Sequence, residues 1–167
     1  MSSTRGSSQK RRGSQSVRLK AGIDGCDLEE PILGLPQKYV LLGLCGALVL
    51  VSIVNWIGSH YYAWTLWMMI ATAILCLVVF MPEYFFNVLN MALQFACFLA
   101  FLILLLVNLI QVLVWKGNLP ENSSNPQVEE VRGRYNFMLV CIPFEMLLTI
   151  GVLFILFRLL MFSYNNR

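Results

Sequence analysis

Charge is what this chain has least of. Of 167 residues, 12 are Lys or Arg and 9 are Asp or Glu, 13% in all against 58% hydrophobic, and the mean hydropathy is +0.70. That is too little polar surface to cover a globule in water, so the composition is that of a membrane protein. Histidine occurs once, at His60. No metal-ligand spacing, Gly-rich phosphate loop or convergent Ser/His/Asp set is present, so neither enzyme activity nor a cofactor or metal is expected, and no nucleic acid is expected as a partner. Five cysteines are present, but none lies between the apolar runs, which excludes an extracellular disulfide framework. Cys45, Cys76, Cys97 and Cys141 sit inside those runs, where packing is the ordinary role of a thiol. Cys26 precedes the first run by about a dozen residues, a weak position for S-acylation.

What the chain does have is apolar length. A window of about 20 apolar residues, enough to cross hydrocarbon as a helix, fits four times. The spans are about 39–57, 62–81, 87–115 and 137–158, within a transmembrane domain at 39–162. Only short links, "GSHY" and "PEYFF", separate the first three, so these neighbours are antiparallel and in contact. The fold class is an all-α membrane protein, an antiparallel four-transmembrane-helix bundle. Residues 1–38 form a basic, Ser-rich tail expected to be disordered, 116–135 an outer loop, and 163–167 a short C-terminal end. The tail lacks the apolar stretch of a secretory signal, so the first span is expected to direct insertion itself.

Basic residues set the orientation. Arg5, Lys10, Arg11, Arg12, Arg18, Lys20 and Lys38 lie in the tail, and Arg158 and Arg167 at the far end, against Lys116, Arg132 and Arg134 in the 116–135 loop. The positive-inside rule then places both termini in the cytosol. "NSS" at Asn122 agrees, since a glycosylation sequon in that loop is used only on the lumenal side. In the tail, "RRGS" puts Arg11 and Arg12 ahead of Ser14, a spacing suited to basophilic kinases; a phosphate there offsets much of the local positive charge. The plain alternative is an unstructured basic tail resting near anionic lipid. Ile32 and Leu33 follow a run of acids in the manner of a dileucine sorting signal, but Leu28 stands where the strict form has its acid.

The third span places Asn87, Asn90, Gln94, Asn108 and Gln111 on one side and Ala92, Ala96 and Ala100 in a small-xxx-small stripe on another. Two faces for helix neighbours are expected. Between Gln94 and Asn108 only Cys97 and apolar groups intervene over roughly 21 Å, so no continuous water-lined path is indicated. Gly43 and Ala47 form a second small-residue pair in the first span.

"CIPFEMLLTIG" puts Glu145 inside the fourth span. Counted from Phe137 the carboxylate is about 12 Å deep, and Asn108, counted from Trp115, about 10 Å. Ser52, Asn55 and Thr65 belong to the same half. An intramembrane acid costs about 2.5–3.5 kcal/mol on insertion scales, so it should face such groups or be protonated. The structural reading is a hydrogen-bonded polar clasp, with Pro143 freeing a carbonyl that also needs a donor. The functional reading is a proton- or cation-responsive site.

Four spans, a very short first outer turn, a longer second outer loop and cytosolic ends resemble the MARVEL-domain family, which includes MAL, plasmolipin and the chemokine-like-factor proteins. "YYAWTLW" ahead of the second span, "MPEYFFN" before the third and "RYN" opening the fourth are similar too. The resemblance covers residues 34–164 and departs at Glu145 and in the Ser-rich tail. It implies membrane organisation, trafficking or membrane apposition, without catalysis. Two functions follow as expectations. The first is a non-enzymatic tetraspan of the plasma membrane or vesicles of the secretory pathway, with the lipid bilayer and another membrane protein or a second copy as partners. The alternative is a small ion or proton channel or transporter subunit centred on Glu145, with Asn108, Gln111, Ser52 and Asn55 around it.

Overall fold

The structure is a computed structural model. It describes residues 31–32, 35–60, 62–79, 88–120 and 125–165, with side chains at 37, 39–60, 62–79, 89–120 and 125–161. The chain divides into two compact units, Met1–Val40 and Leu41–Arg167. In the first, β1 (Pro31–Ile32) and β2 (Leu35–Pro36) pair antiparallel, Pro31 opposite Pro36 and Ile32 opposite Leu35. Both strands fall within residues 1–38, whose first thirty residues lie outside the described ones.

Four helices follow: α1 (Gln37–Gly58), α2 (Ala63–Val79), α3 (Val88–Gly117) and α4 (Pro126–Asn165). Val, Ile and Gly are frequent in α1, and in water they favour other conformations. In hydrocarbon a helix satisfies every backbone donor and acceptor within the segment, and that requirement overrides side-chain preference. α1, α3 and α4 are each long and apolar enough to cross a membrane. α2 has 17 residues, about 26 Å at 1.5 Å per residue, just short of a ~30 Å core.

Side-chain pairs define the arrangement within the second unit. α1 and α2 run antiparallel through Ser59 beside Thr65, Ser52 beside Thr72 and Cys45 beside Cys76. α3 and α4 run antiparallel through Trp115 beside Tyr135 and Phe95 beside Phe157. Tyr62 meets Trp115 edge-on, and Met68 joins Phe101, Leu105, Val112, Met138 and Ile142 in the core, which joins α2 to α3 and α4. α1 closes the ring on α4: Leu44 lies over Gly151, and Gly58 stands so near Phe137 that a Cβ would overlap its ring.

Two helices run past the bounds that hydropathy draws for their spans. Hydropathy draws residues 116–135 as a loop and starts the fourth span at Phe137, whereas α3 continues to Gly117 and α4 begins at Pro126. The cause is local and polar. Asn125 caps the helix by accepting the Gln127 amide at 3.0 Å, and Pro126 takes the first helical position, where no donor is missed. Glu129 pairs with Arg132 and Glu130 with Arg134 along the exposed surface, and Arg132 also donates to the Pro120 carbonyl at 2.7 Å. At 40 residues α4 is about 60 Å long, twice the hydrocarbon thickness, so it must project. Tyr62, Trp115 and Tyr135 form the aromatic level typical of a membrane interface, and residues 126–134 lie beyond it.

A buried polar layer beneath the outer turn

α1 turns its polar side chains to one face because Ser52, Asn55 and Ser59 are spaced three and four apart. All three are buried. α2 answers with Thr65 and Thr72, seven apart and also buried. At the top, the Ser59 and Thr65 hydroxyls stand 2.8 Å apart, so that one donates to the other while the second donates to a carbonyl of its own segment, that of Trp56 for Ser59 or of Tyr62 for Thr65. The Ser59–Thr65 bond joins the ends of two helices across the turn. His60 closes that turn with φ of 55°, a left-handed conformation uncommon for a residue with a side chain.

Two turns deeper, Ser52 donates to Thr72 at 3.4 Å, and Thr72 donates to the Met68 carbonyl of its own helix at 2.8 Å. Asn55 donates its amide to the Glu145 carboxylate at 3.3 Å. Thr149 closes the group from below, donating to the Glu145 carbonyl at 2.8 Å. Glu145 itself is only 2% exposed. Asn108 of α3 is 1% exposed. It stands seven residues from Trp115 while Glu145 stands ten from Tyr135, so the antiparallel pairing brings the two within one helical turn in depth. Farther down, Cys76 donates its thiol to the Cys45 carbonyl at 3.8 Å.

Two acceptors in this layer stand unpaired. The Asn55 and Asn108 side-chain oxygens are buried without a partner. Gln94, near the other end of α3, is buried with both its oxygen and its nitrogen unpartnered. Pro143 has no N–H to give the Leu139 carbonyl.

The proposed members of the cluster separate. Ser52, Asn55, Asn108 and Glu145 face the interior, whereas Gln111 is exposed. Eleven residues after Ala100, Gln111 falls within about 20° of it around the helix, so it lines up with the alanine stripe rather than with Gln94. The small residues expected at helix contacts also turn outward. Ala96 and Ala100 are exposed and Ala92 and Ala47 half-buried; Gly43 is exposed, with open space where a Cβ would stand. Within this chain α3 packs through larger groups, Met91, Phe98, Phe101, Leu105 and Val112, all buried. Sequence reasoning passed over Thr72 and Thr149. Their signals are spacings, Thr72 seven after Thr65 and Thr149 four after Glu145, each placing a hydroxyl on an already polar face. Ser14, Asn87 and Asn122 lie outside the described residues.

Above the aromatic level, His60 Nδ1 stands 4.0 Å from Glu130, which also pairs with Arg134. The Arg134 guanidinium, first by its hydrogen bond and then by its charge, holds the Glu130 carboxyl below the usual glutamate value. Among the described residues no group of three His, Cys, Asp or Glu side chains is placed to hold a metal. Comparison with known proteins finds no counterpart, since no protein-family model, no curated protein and no solved structure matches this chain.

Proposed function

We propose that the protein is a non-enzymatic four-pass membrane protein that organises lateral assemblies, associating through the outer face of α3 with a helix of another membrane protein or of a second copy. One observation carries the reading: Ala96 and Ala100 are exposed, with Gln111 exposed farther along the same line. The bundle uses the opposite face, so the α3 backbone stays open to close approach by another helix, and an amide stands ready to hydrogen-bond across the contact. Both termini are assigned to the cytosol, Asn122 to the glycosylated lumenal side, and Ser14 to phosphorylation control of a basic tail. Trafficking or membrane apposition along the secretory route is the role that the MARVEL-like layout implies.

The test is proximity between differently tagged copies, and between this protein and its neighbours, in intact membranes. Ala96→Leu should reduce association at least severalfold at unchanged yield, while Leu106→Ala, on another lipid-facing side, should not. Equal effects of the two, or none, would remove the α3 face from the proposal. The second reading, a channel or transporter subunit, draws on the buried carboxylate. Among the described residues Glu145 is the only buried acid, and a single acid is a poor relay for coupled transport. Flux of ions or protons through liposomes holding the purified protein would favour it.

A further inference from the structure

The geometry points to a binding site for one monovalent alkali cation in the outer half of the bundle, held by the Glu145 carboxylate and the side-chain oxygens of Asn55 and Asn108. Charge and lone pairs are both unbalanced around these three side chains, whether or not α3 binds a partner.

Glu145 brings a negative charge into the bundle interior, and no ion pair among the described residues reaches it. The nearest basic residues on the same helix, Arg134 and Arg158, are eleven and thirteen positions away, about 16 Å and 20 Å. Its one side-chain amide partner, Asn55, spends its NH₂ on the carboxylate and leaves its own oxygen unpartnered. Asn108, at matching depth on the facing helix, presents a second unpartnered oxygen. Two buried orphan acceptors and one uncompensated charge thus stand in a single layer.

Three occupants can be weighed. A proton on Glu145 removes the charge but supplies one O–H, enough for one of the two orphan oxygens. A water molecule can donate to both oxygens but leaves the charge uncompensated in a medium where that is costly. A cation meets both demands at once, because hard cations take carboxylate and carbonyl oxygens as ligands. The net charge of the three side chains is −1, which a monovalent ion cancels and a divalent ion overshoots. The Ser52 oxygen, three residues from Asn55 on the same buried face of α1, is a fourth candidate ligand. Access is short, since Asn55 lies three residues from the end of α1, about 5 Å below the outer turn.

The experiment uses the purified full-length protein in detergent micelles. Its Tm is followed as sodium or potassium chloride replaces choline chloride at constant ionic strength and near-neutral pH, with calcium chloride as a further arm. The expected result is a saturable rise with sodium or potassium, on the order of 5 °C at saturation. Glu145→Gln should fold and show no cation-dependent rise. Asn108→Leu should require a severalfold higher cation concentration for half of its rise. If either substitution prevents folding, equilibrium binding of radioactive sodium to the unaltered protein, with one ion bound per chain expected, gives the answer alone. Equal Tm in sodium, potassium and choline would overturn the proposal. So would a Tm raised by acid in choline to which alkali cations add nothing, which identifies a proton, and so would a response to calcium alone. Loss of association in Ala96→Leu leaves each of these outcomes unchanged, so the two proposals fail separately.

Discussion

Asn55 of α1 donates to Glu145 of α4 across the bundle at 3.3 Å, and both side chains are almost fully buried. This bond joins the first helix to the last, and with Ser59–Thr65 and Ser52–Thr72 it fixes how α1 sits between its two neighbours. Hydrocarbon offers no hydrophobic drive between helices, so such bonds and close packing must set the register.

Substitution of Glu145 should therefore depend on hydrogen-bonding capacity more than on charge. Glu145→Gln keeps an acceptor for the Asn55 amide and should be recovered at near-normal yield. Glu145→Leu strands that amide in the interior at a cost of about 1–3 kcal/mol and should lower Tm and delivery to the cell surface. Yield, Tm and surface labelling of the two variants check this, and a misfolded Gln variant beside a normal Leu variant would refute it.

Gly58 is the position where α1 and α4 allow no side chain. A methyl group there overlaps the Phe137 ring, which must swing aside. Gly58→Ala should destabilise by about 1–3 kcal/mol. Phe137→Ala should absorb most of that loss in the double mutant, a non-additivity expected of residues in contact. Purely additive Tm changes would show that the two do not touch.

The helices were legible in the sequence to the extent that lipid dictates them. Apolar run length finds α1 and α3 within a few residues, and polar residues inside such runs single out Ser52, Asn55, Asn108 and Glu145. The start of α4 was hidden because residues 126–136 lie where water, not lipid, surrounds the chain, and there hydropathy carries no helical signal. Asn125, Pro126 and the Glu129/Arg132 and Glu130/Arg134 spacings carried it instead. The alanines of α3 show that small residues mark where a helix can approach but not which helix does. Hydropathy is equally silent on the inward or outward sense of Gln111, which rests on an angular difference of about 60° from Asn108.

The projecting end of α4 should be acid-sensitive. Arg134 holds the Glu130 carboxyl below its ordinary value of 4.5. A carboxyl whose folded value is depressed stabilises the fold above the unfolded value, and that contribution is lost as pH falls through the folded one. Amide protection over residues 126–136, read by hydrogen exchange with correction for intrinsic rates, should hold steady from about pH 7 to about pH 5 and fall below the usual glutamate range. Arg134→Gln should give weaker protection near neutrality and flatten the acid-induced drop. An acid-induced drop as steep in Arg134→Gln as in the parent would disconnect it from this pair.

The same projection bears on orientation. Beyond the Tyr62, Trp115 and Tyr135 level, residues 126–134 add about 14 Å of helix, and Arg132 ties that helix to the Pro120 carbonyl. Both residues flank the sequence that carries the sequon at Asn122. If the projecting side is lumenal, Asn122 should carry a glycan that glycosidase removes with a mass shift and that Asn122→Gln abolishes. Antibody tags at either terminus should then stain only after permeabilisation, because an even number of crossings puts both ends on one side. The two readouts are independent. A terminal tag stained in intact cells, together with an unglycosylated Asn122, would invert the orientation, and the polar layer beneath the turn would then open toward the cytosol.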